Sequence, residues 1–208
     1  MRDFGEDGLK KYAKITEPDV RQSFFVKIDH KGNQRPITLE DQYKLVETLN
    51  LHDGVPEDIC IHFETAKNLF LYSWFVYRFG AVAEYHSLIT LEFALKTRSG
   101  GQIKGLKKLL NHAIGKGWLK NEGFSVWRAR KLQDEQNRQI YESISNSKGQ
   151  KYDFVEKEFD YVNVLSSGLP EIRNHYLHGS PTFDRANYGH LLIISEAINQ
   201  LFDNPTTA

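Results

Sequence analysis

The sequence predicts an all-α protein: a helical bundle preceded by a mostly irregular N-terminal extension. Three observations carry that expectation. No proline interrupts the chain between Pro56 and Pro170, so long helices are unobstructed there. Within that span apolar residues recur at i, i+3, i+4 and i+7, the period of a helix face. Gly, Ser, Asn and Asp cluster between these stretches, where they act as breakers.

Taken in order, residues 1–37 read as a lead-in broken by Gly5, Gly8, Pro18, Gly32 and Pro36, with one short strand candidate, "SFFVKI", before the turn "DHKGN". Thr38 is placed to cap a helix over about 39–50, with Glu40 and Asp41 in its first turn. After the breaker "LHDGVPED", residues 57–98 read as one long helix or two meeting near Gly80, with Leu88, Leu91, Ala94 and Leu95 on one face. The run "LFLYSWFVYRFGAVA", 69–83, contains Arg78 and falls short of the roughly 20 apolar residues a bilayer requires. It reads as a buried helix needing cover on several sides, from a second subunit or from a central place in a monomeric bundle. "SGG" ends the stretch. Residues 103–119 form an amphipathic helix, "NEGFS" a turn, 127–144 a polar helix, 145–153 a loop and 154–167 a further helix. Gly168 and Pro170 break or kink the chain, Pro170 opening a new helix that carries "EIRNHYLHG" and ends at Gly179. "DRANYGHLLIISEAINQLF" is an apolar-faced closing helix, and residues 203–208 a disordered tail. The expected organisation is an extension over 1–56, a helical domain over 57–202 and the tail.

Composition narrows the function. Lys and Arg total 27, as do Asp and Glu, so no global charge draws the chain to nucleic acid or membrane. Any polyanion binding must be local. A single cysteine, Cys60, excludes an intrachain disulfide and a Cys-rich zinc site. "MRDFGEDGLKKYAK" lacks a signal-peptide core, so a cytoplasmic protein is expected, without membrane attachment.

The local charge exists. From Arg98 to Lys131 nine basic residues face one acid, Glu122, which leaves the rest of the chain net negative. Lys104, Lys107, Lys108, Arg128, Arg130 and Lys131 are the candidate RNA-binding residues within it. Trp118 and Trp127 stack unpaired bases in this reading, or are tucked into the core.

The sharpest chemistry sits in "RNHYLHG". Asn174 and His178 are four apart and share a helix face, with Arg173 at the edge of the same groove. An arginine offers a fixed fork for phosphate oxygens, and a histidine exchanges a proton near neutral pH. Cutting RNA needs a base for the ribose 2′-hydroxyl, an acid for the 5′-oxygen and a cation for the pentavalent phosphate; no metal or other cofactor is demanded. The alternative is that His175 and His178 merely cap the carbonyls of a helix end. A metal site is disfavoured, because Glu171 and His175 are four apart and no second such motif exists. Serine elbow, phosphate-binding glycine loop and dinucleotide fingerprint are absent.

"RNHYLHG" resembles the signature of the HEPN superfamily: an arginine, a polar residue, three variable positions and a histidine, matched by Arg173, Asn174 and His178. "VAEYHSLITLEFALKTR" is similar to the earlier core helix of such domains, and "HLLIISEAINQLF" to the helix that follows. The resemblance covers about residues 57–202. It implies a helical-bundle domain that dimerises, sets two motifs across one cleft, and often acts as a metal-independent endoribonuclease in defence or toxin systems with an antitoxin or defence partner. Some members are catalytically silent and serve as modules binding RNA, nucleotide or protein. Members modified by a partner nucleotidyltransferase typically carry a tyrosine two residues after the histidine; here that position is Ser180. An acidic residue of the earlier helix often accompanies the motif. Glu92 is the first candidate and Glu84 the second, Glu92 being equally able to pair with Lys96 on its own helix.

Overall fold

The computed structural model of the chain describes residues 4–149, 154–155, 158–177 and 187–203. Among them are seven α-helices and one two-stranded hairpin, an all-α architecture.

In the N-terminal extension, β1 (Val26–Ile28) pairs antiparallel with β2 (Gln34–Pro36), so the expected strand gains a partner. The turn between them closes on Asp29, whose carboxylate accepts from the backbone N–H groups of Lys31 and Asn33. Helix α1 (Leu39–Glu47) opens on a capping box: Thr38 Oγ1 accepts from the Asp41 N–H at 3.2 Å while Asp41 accepts from the Thr38 N–H at 3.0 Å. Arg35 and Lys27 also reach Asp41, holding its carboxyl well below the usual range and tying the hairpin to the helix.

Helix α2 (Glu57–Tyr72) and helix α3 (Phe79–Arg98) are separate, with turns over 73–78 and Gly80 already inside α3. The run 69–83 is therefore not one buried helix. The break is held from a distance, because the end of α2 leaves carbonyls without helical partners. The Gln42 amide donates to the Phe70 carbonyl at 2.6 Å, Gln22 donates to that of Ser73 at 3.0 Å, and Asp19 accepts from the Tyr77 N–H at 3.3 Å. Phe70 and Trp74 are buried, whereas Tyr72, Phe79 and Val82 stay exposed.

Helix α4 (Leu106–Gly115) and helix α5 (Ser125–Lys148) follow, α5 running past its expected end to Gly149 at φ 62°. Asp134 is the one buried residue along α5. Helix α6 spans Tyr161–Leu177 and helix α7 Tyr188–Phe202. The expected helix over 154–167 starts only at Tyr161, and the expected break at Gly168 and Pro170 does not occur, since α6 passes through both. An interior proline costs about 3 kcal/mol and leaves the Ser166 carbonyl without its helical donor. Burial of Leu165 and Leu169 in the core, one on each side of Gly168, opposes that cost.

Helix α3 is central, packing against α2, α4, α6 and α7, and α4 packs on α6. Leu88, Leu91 and Leu95 share one core with Leu109, Leu165, Ile194 and Ile198. Val46, Leu49 and Val55 belong to the same core, on the N-terminal side of the expected boundary at 56. Among the described residues no helix is long and apolar enough to cross a membrane. The expected cap Gly179 and residues 204–208 of the expected tail lie outside the described residues.

Candidate functional site

The packing of α4 on α6 and of both on α3 sets three stretches of sequence around one groove. Leu106, Leu109, Leu110 and Ala113 turn one face of α4 into the core. Lys107, Lys108 and Asn111 are left outside it. In α6, Leu165 and Leu169 anchor the helix so that Pro170, Arg173 and Asn174 meet α4. The result is a cavity of about 480 Å3 lined by Lys104–Lys108, Asn111, Pro170, Arg173 and Asn174. Among the described residues that line it four are cationic and none is acidic, which makes the cavity attractive to anions.

Behind the cavity stands Glu92 of α3, 8% exposed. Its Oε2 lies 3.2 Å from Nη2 of Arg173 and its Oε1 lies 2.8 Å from Nζ of Lys96. One buried carboxylate thus holds two cations, and burial of that charge is compensated by both. The two pairings open to Glu92 are made at once. Nη1 of Arg173 lies 3.4 Å from the side-chain oxygen of Asn174, whereas its Nε is buried without a hydrogen-bond partner among the described residues.

Two turns earlier on α3, Glu84 forms a second polar centre. It accepts the Tyr176 hydroxyl at 2.6 Å, lies 3.5 Å from Nδ1 of His190, and accepts the Asn187 backbone N–H. Burial pushes this carboxyl up, but the bonds from His190, Asn187 and Tyr176 outweigh it and hold it below its ordinary value. Tyr176 lies in the last turn of α6 and Asn187 caps α7, so Glu84 ties the end of one helix to the start of the other.

The structure brings together Arg173, Asn174, Glu92, Lys104, Lys107 and Lys108. His178 lies outside the described residues. His175 is exposed, its ring edge-on to Tyr176. Arg128, Arg130 and Lys131 do not line the cavity and are engaged locally: Arg128 donates to the Glu122 carbonyl at 2.8 Å, Arg130 pairs with Asp134 at 3.2 Å, and the Lys131 ammonium lies 5.4 Å from the Trp127 ring centre. Trp118 and Trp127 pack half-buried against the core, Trp127 donating to the Phe159 carbonyl. Sequence reasoning named Glu84 but missed Tyr176 and His190 as its partners; the one available signal was the eight-residue spacing that puts Glu84 and Glu92 near one face of a helix.

Comparison with protein-family models, with curated proteins and with solved structures finds no match to this chain. What fold and site together define is an all-α protein with a cation-lined groove between two of its helices.

Proposed function

We propose that the chain is a HEPN-type endoribonuclease that cleaves RNA without a metal, in a cytoplasmic defence or toxin system. The observation that carries this reading is the convergence of Arg173 and Asn174 of the motif with Lys104, Lys107 and Lys108 of the basic segment on one cavity. A short motif and a basic segment far from it in sequence share a surface.

In this reading Arg173, oriented by Glu92, neutralises the phosphate as charge develops on it. His178 exchanges the proton of the 2′-hydroxyl or the leaving 5′-oxygen, and Asn174 orients substrate or histidine. The lysines hold the flanking backbone. Attack by the neighbouring ribose oxygen leaves a 2′,3′-cyclic phosphate and a 5′-hydroxyl.

A single motif supplies one essential histidine, so both acid and base require a second copy, and the working form is a homodimer. Val82, Ile89 and Phe93 support this, since they leave an apolar stripe exposed on the otherwise central helix α3.

Incubating the purified chain with total RNA in the presence of EDTA tests the reading. Fragments are expected. RNA bound and left intact would instead make the chain a non-catalytic RNA-binding module.

A further inference from the structure

The cavity between α4 and α6 is larger than a single phosphate group would fill. Its volume, about 480 Å3, falls inside the range of small-molecule sites, about 300–1,000 Å3. Leu106 and Pro170 give it apolar surface. Its cations stand on two walls: Arg173 on α6, and Lys104, Lys107 and Lys108 at the start of α4.

The α4 wall carries uncompensated positive charge. The first turn of α4 holds no acidic residue, and Gly105, its N-cap at φ 92°, has no side chain to accept a bond. The N–H groups of Leu106, Lys107 and Lys108 therefore lack both helical acceptors and a capping side chain. Lys104 stands just before this first turn and Lys107 and Lys108 within it, against the usual preference for acids there. Lys104, Lys107 and Lys108 form no ion pair among the described residues. A bound anion relieves all of these at once.

We infer that this cavity is a nucleotide subsite of a bound RNA strand, its phosphate taken by Lys107, Lys108 and the α4 amides while Arg173 takes the neighbouring phosphate, the scissile one. The role given to Arg173 rests on the endoribonuclease reading; the existence of the subsite does not. The preferred ligand is then single-stranded RNA with two consecutive phosphates.

Uncleavable 2′-O-methyl oligonucleotides carrying one, two or three phosphates, labelled on a base, test this by fluorescence anisotropy with the full chain. The second phosphate is expected to tighten binding about tenfold or more, the worth of a charge-assisted contact, and the third to add much less. Lys107→Glu with Lys108→Glu should erase the step at the second phosphate, while Arg173→Ala should weaken all three ligands alike. Lys107→Gln with Lys108→Gln serves if the double reversal loses its helical circular dichroism. One- and two-phosphate ligands binding equally, or both weakened by the same factor in the lysine variants, overturns the subsite. All-ribose oligonucleotides separate the two claims: a step in binding without cleavage keeps the subsite and removes the endoribonuclease reading, and cleavage without the step does the reverse.

Discussion

Arg173 on α6 and Glu92 on α3 meet at 3.2 Å across 81 positions of sequence, and Lys96 reaches the other oxygen of the same carboxylate at 2.8 Å. Glu92 is buried, while the Arg173 side chain keeps 32% of its surface in solvent. The arginine is held from behind with its remaining surface open to the cavity.

Glu92→Gln keeps the shape and removes the charge that holds the fork. With the arginine partly solvated, the expected loss is about 1–2 kcal/mol, a fall in Tm of roughly 2–8 °C. Lys96→Ala, which breaks only an exposed pair one helical turn away, should cost no more than about 0.5 kcal/mol. Thermal melts of the two variants check this. Equal melting of wild type and Glu92→Gln would show that the pairing adds nothing net to stability.

Acid should separate Glu84→Gln from wild type. The Glu84 carboxyl is held below its ordinary 4.5, so its contribution is fully present above that pH and is lost as pH falls through the lower folded value. Glutamine cannot accept from Tyr176, Asn187 and His190 together, so the variant should melt lower at pH 7, by the equivalent of about 1–3 kcal/mol. The gap should narrow below pH 4.5, where protonated Glu84 comes to resemble glutamine. Melting curves from pH 3 to 8 read this directly, and a gap independent of pH would assign the cost to packing instead.

The helices were legible wherever their own residues decide the outcome. In α4, Leu106, Leu109, Leu110 and Ala113 follow the helical period and are all buried. Two helices meeting near Gly80 were one of the two expectations for 57–98, but the place of the break at 73–78 was not legible, because Asp19, Gln22 and Gln42 bond to it from elsewhere in the chain. Pro170 misled for a related reason: local rules read a stop, and the burial of Leu165 and Leu169 carries α6 through it. Arg173, Asn174, Glu92 and the α4 lysines could each be named from pattern, but their convergence depends on α4 meeting α6 and α3, which no local pattern encodes. Charge counting could not tell Lys107 from Arg130, which is engaged by Asp134 on its own helix.

The apolar stripe on α3 sets the expected mass in solution. Val82, Ile89 and Phe93 are exposed along one face, beside the stacked rings of His62 and His86 at 5.6 Å. Covered by a second copy, the 24.1 kDa chain should scatter light as a particle of about twice that mass at micromolar concentration. Ile89→Asp should yield folded monomers with unchanged helical circular dichroism and a Tm that no longer rises with protein concentration, since the loss is that of the partner and not of the core. A wild-type monomer would remove the stripe as an interface.

The motif itself makes the most exposed prediction. His178→Ala should leave folding intact, since even an imidazole at a helix end would typically contribute only about 1 kcal/mol or less through the dipole, yet lower cleavage about 10²-fold or more. Arg173→Ala should lower it as far, with some loss of stability, because Glu92 is left with Lys96 alone. Arg173→Lys isolates the chemistry: it keeps the charge beside Glu92 and loses the planar fork, so stability should recover more than rate. His175 is exposed and outside the motif pattern, so His175→Ala should cut nearly as well as wild type. Products should end in 2′,3′-cyclic phosphate, read by their resistance to alkaline phosphatase until acid opens the ring. Undiminished cleavage by His178→Ala, or abolition of wild-type cleavage by EDTA alone, would refute the mechanism and leave the fold and the groove as they stand.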